Sequence, residues 1–208
     1  MVRIKICGLN NLDDYRCAQE LAVDYTGFIF YAKSPRFVEA VQAKQIVASG
    51  LDSRNLRVGV FVNEEIQVVR EVFRSVPLDI VQLHGDESPE YCQKLAMPCW
   101  KAIRVRDETS LRNMEQYRCE AFLLDTFSPN DYGGTGRSFD IEIAKRALVK
   151  NENIIIAGGI SKKNVTEVLA VSPFAIDINS AVESAPGKKD QEKMKCIVNK
   201  IRRFTNEI

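Results

Sequence analysis

Eight polar side chains stand at or just past the ends of short apolar runs, and their types are those that grip small anions or pass protons. Cys7 closes the run 2–7, Asn63 follows 57–62, Gln82 and His84 bracket the end of 79–83, and Arg104 lies near the end of 100–105. Asp125 closes 121–125, and Asp177 and Asn179 straddle the end of 174–178. Alternate residues of a strand share a face, so Lys5 goes with Cys7, Gln82 with His84, and Asp177 with Asn179. Ala121, Leu123 and Asp125 share another face, with the carboxylate at its tip. Two further stretches suit an anion. The run 153–157 leads into Gly158-Gly159 and then Ser161, a helix N-cap by type, and 174–178 is followed by Ser180-Ala181. Small residues let backbone amides approach a ligand, and a helix start favours negative charge. Each residue also has a plain structural reading. A strand-end Cys is commonly a small buried hydrophobe, an Asp a cap or turn carboxylate, a lone His a hydrogen-bonded structural group, and a loop Arg a solvated one.

The elements that must position these residues follow from periodicity. Eight β-branched-rich runs are expected as strands: 2–7, 25–31, 57–62, 79–83, 100–105, 121–125, 153–157 and 174–178. Helical patterns fill the gaps at 12–21, 40–48, 64–73 behind Asn63, from Ser88-Pro89-Glu90, and at 109–117, 140–148, 162–171 and 190–204. Alternating strands and helices imply a parallel sheet with right-handed crossovers. Dividing 208 residues among eight units leaves 26 for each, enough for a strand, a helix and two short loops. The expectation is a single (β/α)8 barrel spanning residues 1–208, preferred over an open doubly wound sheet because no switch point is evident. In such a barrel the C-terminal strand ends gather at one rim, where all the polar residues above would meet, and the loops after strands seven and eight form the usual phosphate site.

Bulk properties exclude several alternatives. With 29 Lys+Arg against 28 Asp+Glu the net charge is +1, which argues against general affinity for nucleic acid or an anionic membrane. Hydrophobic residues at 45% and charged residues at 27% are globular proportions rather than those of a disordered chain. The six cysteines are scattered without a Cys-x-x-Cys pair, and the chain is long enough to need no staples, so reduced thiols are expected. The start, MVRIKICGL, lacks a signal peptide's apolar stretch, and no run is long enough to span a bilayer, so a soluble cytoplasmic protein is expected.

The blocks Lys5-Ile6-Cys7-Gly8-Leu9, Ser34-Pro35-Arg36-Phe37-Val38, Val81-Gln82-Leu83-His84-Gly85-Asp86-Glu87, Leu124-Asp125-Thr126, Ala157-Gly158-Gly159-Ile160 and Asp177-Ile178-Asn179-Ser180-Ala181-Val182-Glu183 occur in this order. Together with Gly133-Gly134-Thr135-Gly136 and Pro186-Gly187-Lys188-Lys189-Asp190, they make a chain that closely resembles the phosphoribosylanthranilate isomerases of tryptophan biosynthesis. Two positions depart from the family pattern: Ala181 stands where many members have Gly, and Ile141 where a Trp is common. Ala181 still offers its amide.

The resemblance implies an Amadori rearrangement of N-(5-phosphoribosyl)anthranilate to an aminoketose, with neither cofactor nor metal. It assigns Asp125 as general acid and Cys7 as general base. An acid role needs Asp125 to hold a proton near neutrality, and a base role needs Cys7 thiolate, favoured by a cation such as Lys5. Arg36 would pair with the anthranilate carboxylate through its guanidinium fork. Gly158, Gly159, Ser180 and Ala181 would hold the phosphate, Asp177 would meet a ribose hydroxyl, and Gln82 and His84 would line the mouth. The Gly133–Gly136 stretch would close over the substrate and exclude water. Cys17, Cys92, Cys99, Cys119 and Cys196 are read as structural. The expected partner is the small phosphorylated aminosugar alone, bound by a monomer. Two competing readings are an isomerase for the analogous histidine-pathway aminoaldose and a non-catalytic sensor of a phosphorylated metabolite. The histidine-pathway relatives resemble fused half-barrels with paired Asp residues, and a sensor would need neither Cys7 nor Asp125.

Overall fold

The computed structural model describes residues 1–112, 114–126 and 141–206. The Gly133–Gly136 stretch therefore lies outside the described residues. Eight parallel strands close into a barrel in sequence order: β1 (Arg3–Ile6), β2 (Tyr25–Ile29), β3 (Leu56–Phe61), β4 (Ile80–Leu83), β5 (Cys99–Val105), β6 (Ala121–Thr126), β7 (Ile154–Ile156) and β8 (Ala175–Ile178). Closure is made by β1 against β8, with Lys5 opposite Asp177 and Ile6 opposite Ile178. Helices α1 (Leu12–Glu20), α2 (Ala40–Ala48), α3 (Ile66–Ser75), α4 (Pro89–Leu95), α5 (Ile141–Lys150), α6 (Val165–Leu169) and α7 (Gln191–Asn206) connect or follow the strands. This is the (β/α)8 barrel expected from the alternating runs.

The alternation in each strand sorts residues into two cores. Tyr25, Val58, Ile80, Trp100, Leu123, Ile155 and Ala175 form one buried cluster inside the barrel, with Trp100 edge-on to Tyr25 at 4.9 Å between ring centres. The opposite faces, including Ile4, Ile6, Phe61, Val81, Leu124 and Ile176, pack under the helices in a larger buried cluster. Above the inner cluster, Cys7, Ile29 and Val60 make a small apolar floor.

The helix starts show why these segments are helical. Asn11 Oδ1 accepts the Asp14 amide at α1, and Ser88 Oγ accepts the Tyr91 amide at α4, ahead of Pro89 in the first turn. Three expected helices change. Residues 109–117 form two 3-10 turns, Glu108–Leu111 and Met114–Gln116, rather than an α-helix. Asp107 takes the Thr109 amide and Ser110 Oγ the Arg106 amide, so local side chains hold the backbone, and the three-residue spacing of Leu111, Met114 and Tyr117 matches the 3-10 repeat. Asn63 does not cap α3. It stands in the left-handed region at φ 51°, its Oδ1 accepting the Asp86 amide, and α3 begins only at Ile66. Nor does Ser161 open α6 directly. Asn164 accepts the Ser161 amide and donates to the Gly159 carbonyl, and the helix begins at Val165. A short antiparallel hairpin, β9 (Glu183–Ala185) with β10 (Lys188–Lys189), follows β8 and had no apolar signature to announce it.

A buried ion pair ties the rim together. Lys101 on β5 donates to Glu87 Oε2 at 2.8 Å and to the Gly85 carbonyl at 2.7 Å, while Glu87 also accepts the amides of Asn63 and Gly85. Both side chains are almost fully buried. Removing one member of such a pair strands the other charge, at a cost of about 3–5 kcal/mol. Lys101→Met is therefore expected to lower the stability to denaturant by that amount. An unchanged denaturation midpoint would show that the pair contributes nothing.

Candidate active site

The strand ends enclose a cavity at the C-terminal mouth of the barrel, lined by Cys7, Arg36, Gln82, His84, Asp125, Gly158, Gly159, Asp177, Asn179 and Ser180. The inward faces of β1, β4, β6 and β8 deliver Cys7, Gln82 with His84, Asp125, and Asp177 with Asn179, in keeping with the period-two reading. Three expected members stand apart. Asn63 braces the β4 loop as described. Arg104 pairs with Asp86 at the rim and is not among the lining residues. Ala181 follows Ser180 in a 3-10 turn but does not line the cavity either.

At the β1 end, Lys5 is fully buried directly beneath the thiol. Its ammonium donates to Asp177 Oδ2 at 2.9 Å and also meets Cys7. Only a glycine fits opposite, since a Cβ at Gly27 would come within 2.7 Å of Cys7 Sγ and 3.2 Å of Lys5 Nζ. Burial pushes the Cys7 thiol up, the Lys5 ammonium pulls it back, and the Asp177 carboxylate adds to the rise, so the net direction is upward. For Lys5, burial disfavours the ammonium, but Asp177 and Cys7 outweigh it and the net shift is upward. In sequence Lys5 is legible as an inward-facing neighbour of Cys7 and as a cation that would favour its thiolate, but not as the partner of Asp177.

Across the mouth, β4 and β6 join in a hydrogen-bonded chain. Gln82 Nε2 lies 2.8 Å from His84 Nδ1, and His84 Nε2 lies 3.2 Å from Asp125 Oδ2. With the Gln82 amide donating to Nδ1, the imidazole proton sits on Nε2 and is donated to Asp125. Asp125 Oδ1, Asp177 Oδ1 and Gln82 Oε1 are buried and find no hydrogen-bond partner among the described residues. Three orphaned acceptors around one cavity mark a place where a polar ligand completes the bonding.

The glycine pair of the β7 loop stands beside Asp125. Gly158 and Gly159 both lie in the left-handed region, at φ 79° and 63°. At Gly158 a side chain is excluded twice, by that conformation and because a Cβ would fall 2.6 Å from Asp125 Oδ1. The glycine thus lets the β7 loop approach the carboxyl as well as any ligand.

Arg36 is buried rather than solvated. Its Nε and Nη2 each donate at 2.8 Å to Glu183, and Lys189 donates to the same carboxylate at 2.9 Å. Lys189 also donates to Asn179 Oδ1 at 2.8 Å. Burial pushes the Glu183 carboxyl up, but the guanidinium and ammonium outweigh it and hold it below the usual range. Glu183 and Lys189 went unrecognised as site residues in sequence, because their only signal was membership of the resembling blocks.

None of the six cysteines is disulfide-bonded, and Cys17, Cys92 and Cys99 are buried away from the mouth. Among the described residues no group of three or more His, Cys, Asp or Glu side chains could hold a metal ion, and no helix is long and apolar enough to cross a membrane. The arrangement combines a thiol, a carboxyl with one oxygen unpaired among the described residues, a glycine-rich loop and a guanidinium. Those parts suit proton transfers on a small phosphorylated substrate that carries a second anionic group.

Comparison with known proteins gives the same direction. Residues 4–200 match the family model described as N-(5'phosphoribosyl)anthranilate (PRA) isomerase. The N-(5'-phosphoribosyl)anthranilate isomerase of Trichlorobacter lovleyi is 44% identical over 94% of this chain and 95% of its own. The phosphoribosyl anthranilate isomerase structure from Thermotoga maritima superposes with a TM-score of 0.90 at 36% identity, covering 97% of this chain and 99% of that one. A phosphoribosyl anthranilate isomerase solved with reduced 1-(o-carboxyphenylamino)-1-deoxyribulose 5-phosphate superposes with a TM-score of 0.83 at 35% identity, again over 97% and 99% of the two chains.

Proposed function

The chain belongs to the N-(5'-phosphoribosyl)anthranilate isomerase family of tryptophan biosynthesis, and from that premise we propose that Asp125 is the general acid and Cys7 the general base of its Amadori rearrangement. Asp125 protonates the furanose ring oxygen from its unpaired Oδ1. The ring C–O bond breaks as the nitrogen lone pair forms the iminium. Cys7 thiolate removes the proton from the adjacent carbon, which the iminium has acidified, and that electron pair neutralises the nitrogen to give an enolamine. Tautomerisation then yields the aminoketose.

The observation that carries this reading is that Cys7 and Asp125 line one cavity, with Asp125 Oδ1 buried beside the glycines of the β7 loop and unpaired among the described residues. Gly158, Gly159 and Ser180 hold the phosphate through backbone amides, and Ala181, which does not line the cavity, is left out of that set. Asp177 receives a ribose hydroxyl on Oδ1, and Arg36 takes the anthranilate carboxylate. Gln82 and His84 act by holding Asp125 through Oδ2, which directs its proton to the oxygen that faces the substrate.

Purified protein supplied with freshly generated phosphoribosylanthranilate is expected to consume it, read as loss of anthranilate-type fluorescence, and to leave the histidine-pathway aminoaldose untouched. Binding of the substrate without turnover would replace the enzyme reading with a sensor.

A further inference from the structure

Chain segment 183–189 does more than close a loop. Its two short strands place Glu183 and Lys189 side by side, and Glu183 holds both Nε and Nη2 of Arg36, which leaves Nη1 and the second Nη2 proton as the remaining edge of the guanidinium. A second, separate contact joins the same two segments. Gly187, at the turn of the hairpin, stands at φ 80°, and a Cβ there would run into the Pro35 carbonyl oxygen, one residue before Arg36. The hairpin thus touches the β2 loop both through the ion pair and through backbone. Lys189 extends the tie to Asn179, which precedes the Ser180 of the anion cradle.

We propose that the β9–β10 hairpin is the positioning device for carboxylate recognition: Glu183 pins Arg36 by its Nε edge so that only the end-on Nη1–Nη2 edge meets the substrate carboxylate, while Lys189 offsets the Glu183 charge. This rests on the reading of Arg36 as the carboxylate-binding group. The three charges sum to one positive, so the clamp holds the guanidinium without cancelling its attraction for an anion. A guanidinium held on one edge offers the other in a single orientation, and little side-chain freedom is lost when the ligand arrives. Glu183 and Lys189 are positioning residues, since each acts through Arg36.

The test compares two ligands, the reduced product analogue and the same compound lacking the carboxylate. Glu183→Asp keeps every charge but withdraws the carboxylate by one methylene. It is expected to weaken the carboxylated ligand about tenfold, the equivalent of one charge-assisted hydrogen bond. The decarboxylated ligand should bind as before, and for the carboxylated substrate KM should rise with kcat little changed. Gly187→Ala, which disturbs the hairpin without touching an ionic group, is expected to act in the same sense. Parallel weakening of both ligands, or no change in their affinity ratio, overturns the proposal. Arg36→Met separates the two levels. If it leaves the ratio intact, the carboxylate reading itself fails; if it collapses the ratio while the hairpin variants do not, only the hairpin inference fails. The unsubstituted protein supplies a check free of folding defects. With 15N-labelled arginine, the carboxylated ligand should shift the Arg36 Nη resonances and leave Nε in place, and a displaced Nε signal would contradict the clamp.

Discussion

Asp125→Asn is expected to leave a folded protein that binds the reduced product analogue nearly as well as before, yet turns over about a thousandfold or more slowly, within the range that general acid catalysis contributes. The exchange is nearly isosteric, and the Asn carbonyl can still accept the His84 Nε2 proton that Asp125 Oδ2 receives at 3.2 Å. What disappears is the proton itself. An amide nitrogen in place of Oδ1 can hydrogen-bond the ring oxygen but cannot transfer a proton to it, so the furanose stays closed. Because Oδ1 has no hydrogen-bond partner among the described residues, the change disturbs no bond within them. Fluorescence-monitored turnover at saturating substrate, together with the dissociation constant of the analogue, measures the two quantities separately. A loss in kcat of less than about tenfold would remove Asp125 from the acid role.

Cys7→Ala carries the second large effect. The thiol lies beside a fully buried ammonium, and the substitution removes the proposed acceptor for the proton on the carbon next to the iminium. Turnover is expected to fall by about 10²–10⁴, the span of a lost general base, with analogue binding retained. Cys7→Ser should fare little better, since an alcohol is a far weaker acid than a thiol and supplies almost no anion. A pH signature accompanies this. Burial holds the thiol above its ordinary value despite Lys5, so the free enzyme at neutrality carries mostly the protonated form, and the thiolate fraction grows as pH rises. kcat/KM for the unsubstituted enzyme should therefore climb with pH over the range in which the general acid keeps its proton, and the residual rate of Cys7→Ser should not follow that slope. A residual rate of Cys7→Ser that climbs in parallel with the unsubstituted protein would argue that another group takes the proton.

Much of this site is legible in the chain itself, for a geometric reason. A strand repeats every two residues, so the apolar inward positions Ala121 and Leu123 oblige Asp125 to point inward as well, and the same logic links Lys5 with Cys7 and Gln82 with His84. Barrel topology then brings those tips to one rim. Hidden from such reasoning is every contact made across long sequence distance by charged side chains. Arg36 resembles a solvated loop residue, and its partner Glu183 lies 147 positions away on a hairpin of two- and three-residue strands that carries no apolar pattern. Lys5 is likewise inward by parity, but only its register opposite Asp177 on the closing strand explains how a fully buried ammonium is tolerated. Residues 109–117 show the local counterpart, where Asp107 and Ser110 compete for the backbone and turn an apparent helix into 3-10 turns.

The spatial claim at the centre of the mechanism is open to direct observation in a crystal structure of the protein with the reduced product analogue bound. The phosphate should rest on the amides of Gly158, Gly159 and Ser180, with Asp125 Oδ1 and Cys7 Sγ each about 3–3.5 Å from the atoms they would protonate and deprotonate. A ligand whose phosphate lies elsewhere, or whose reacting carbons are out of reach of either group, would contradict it.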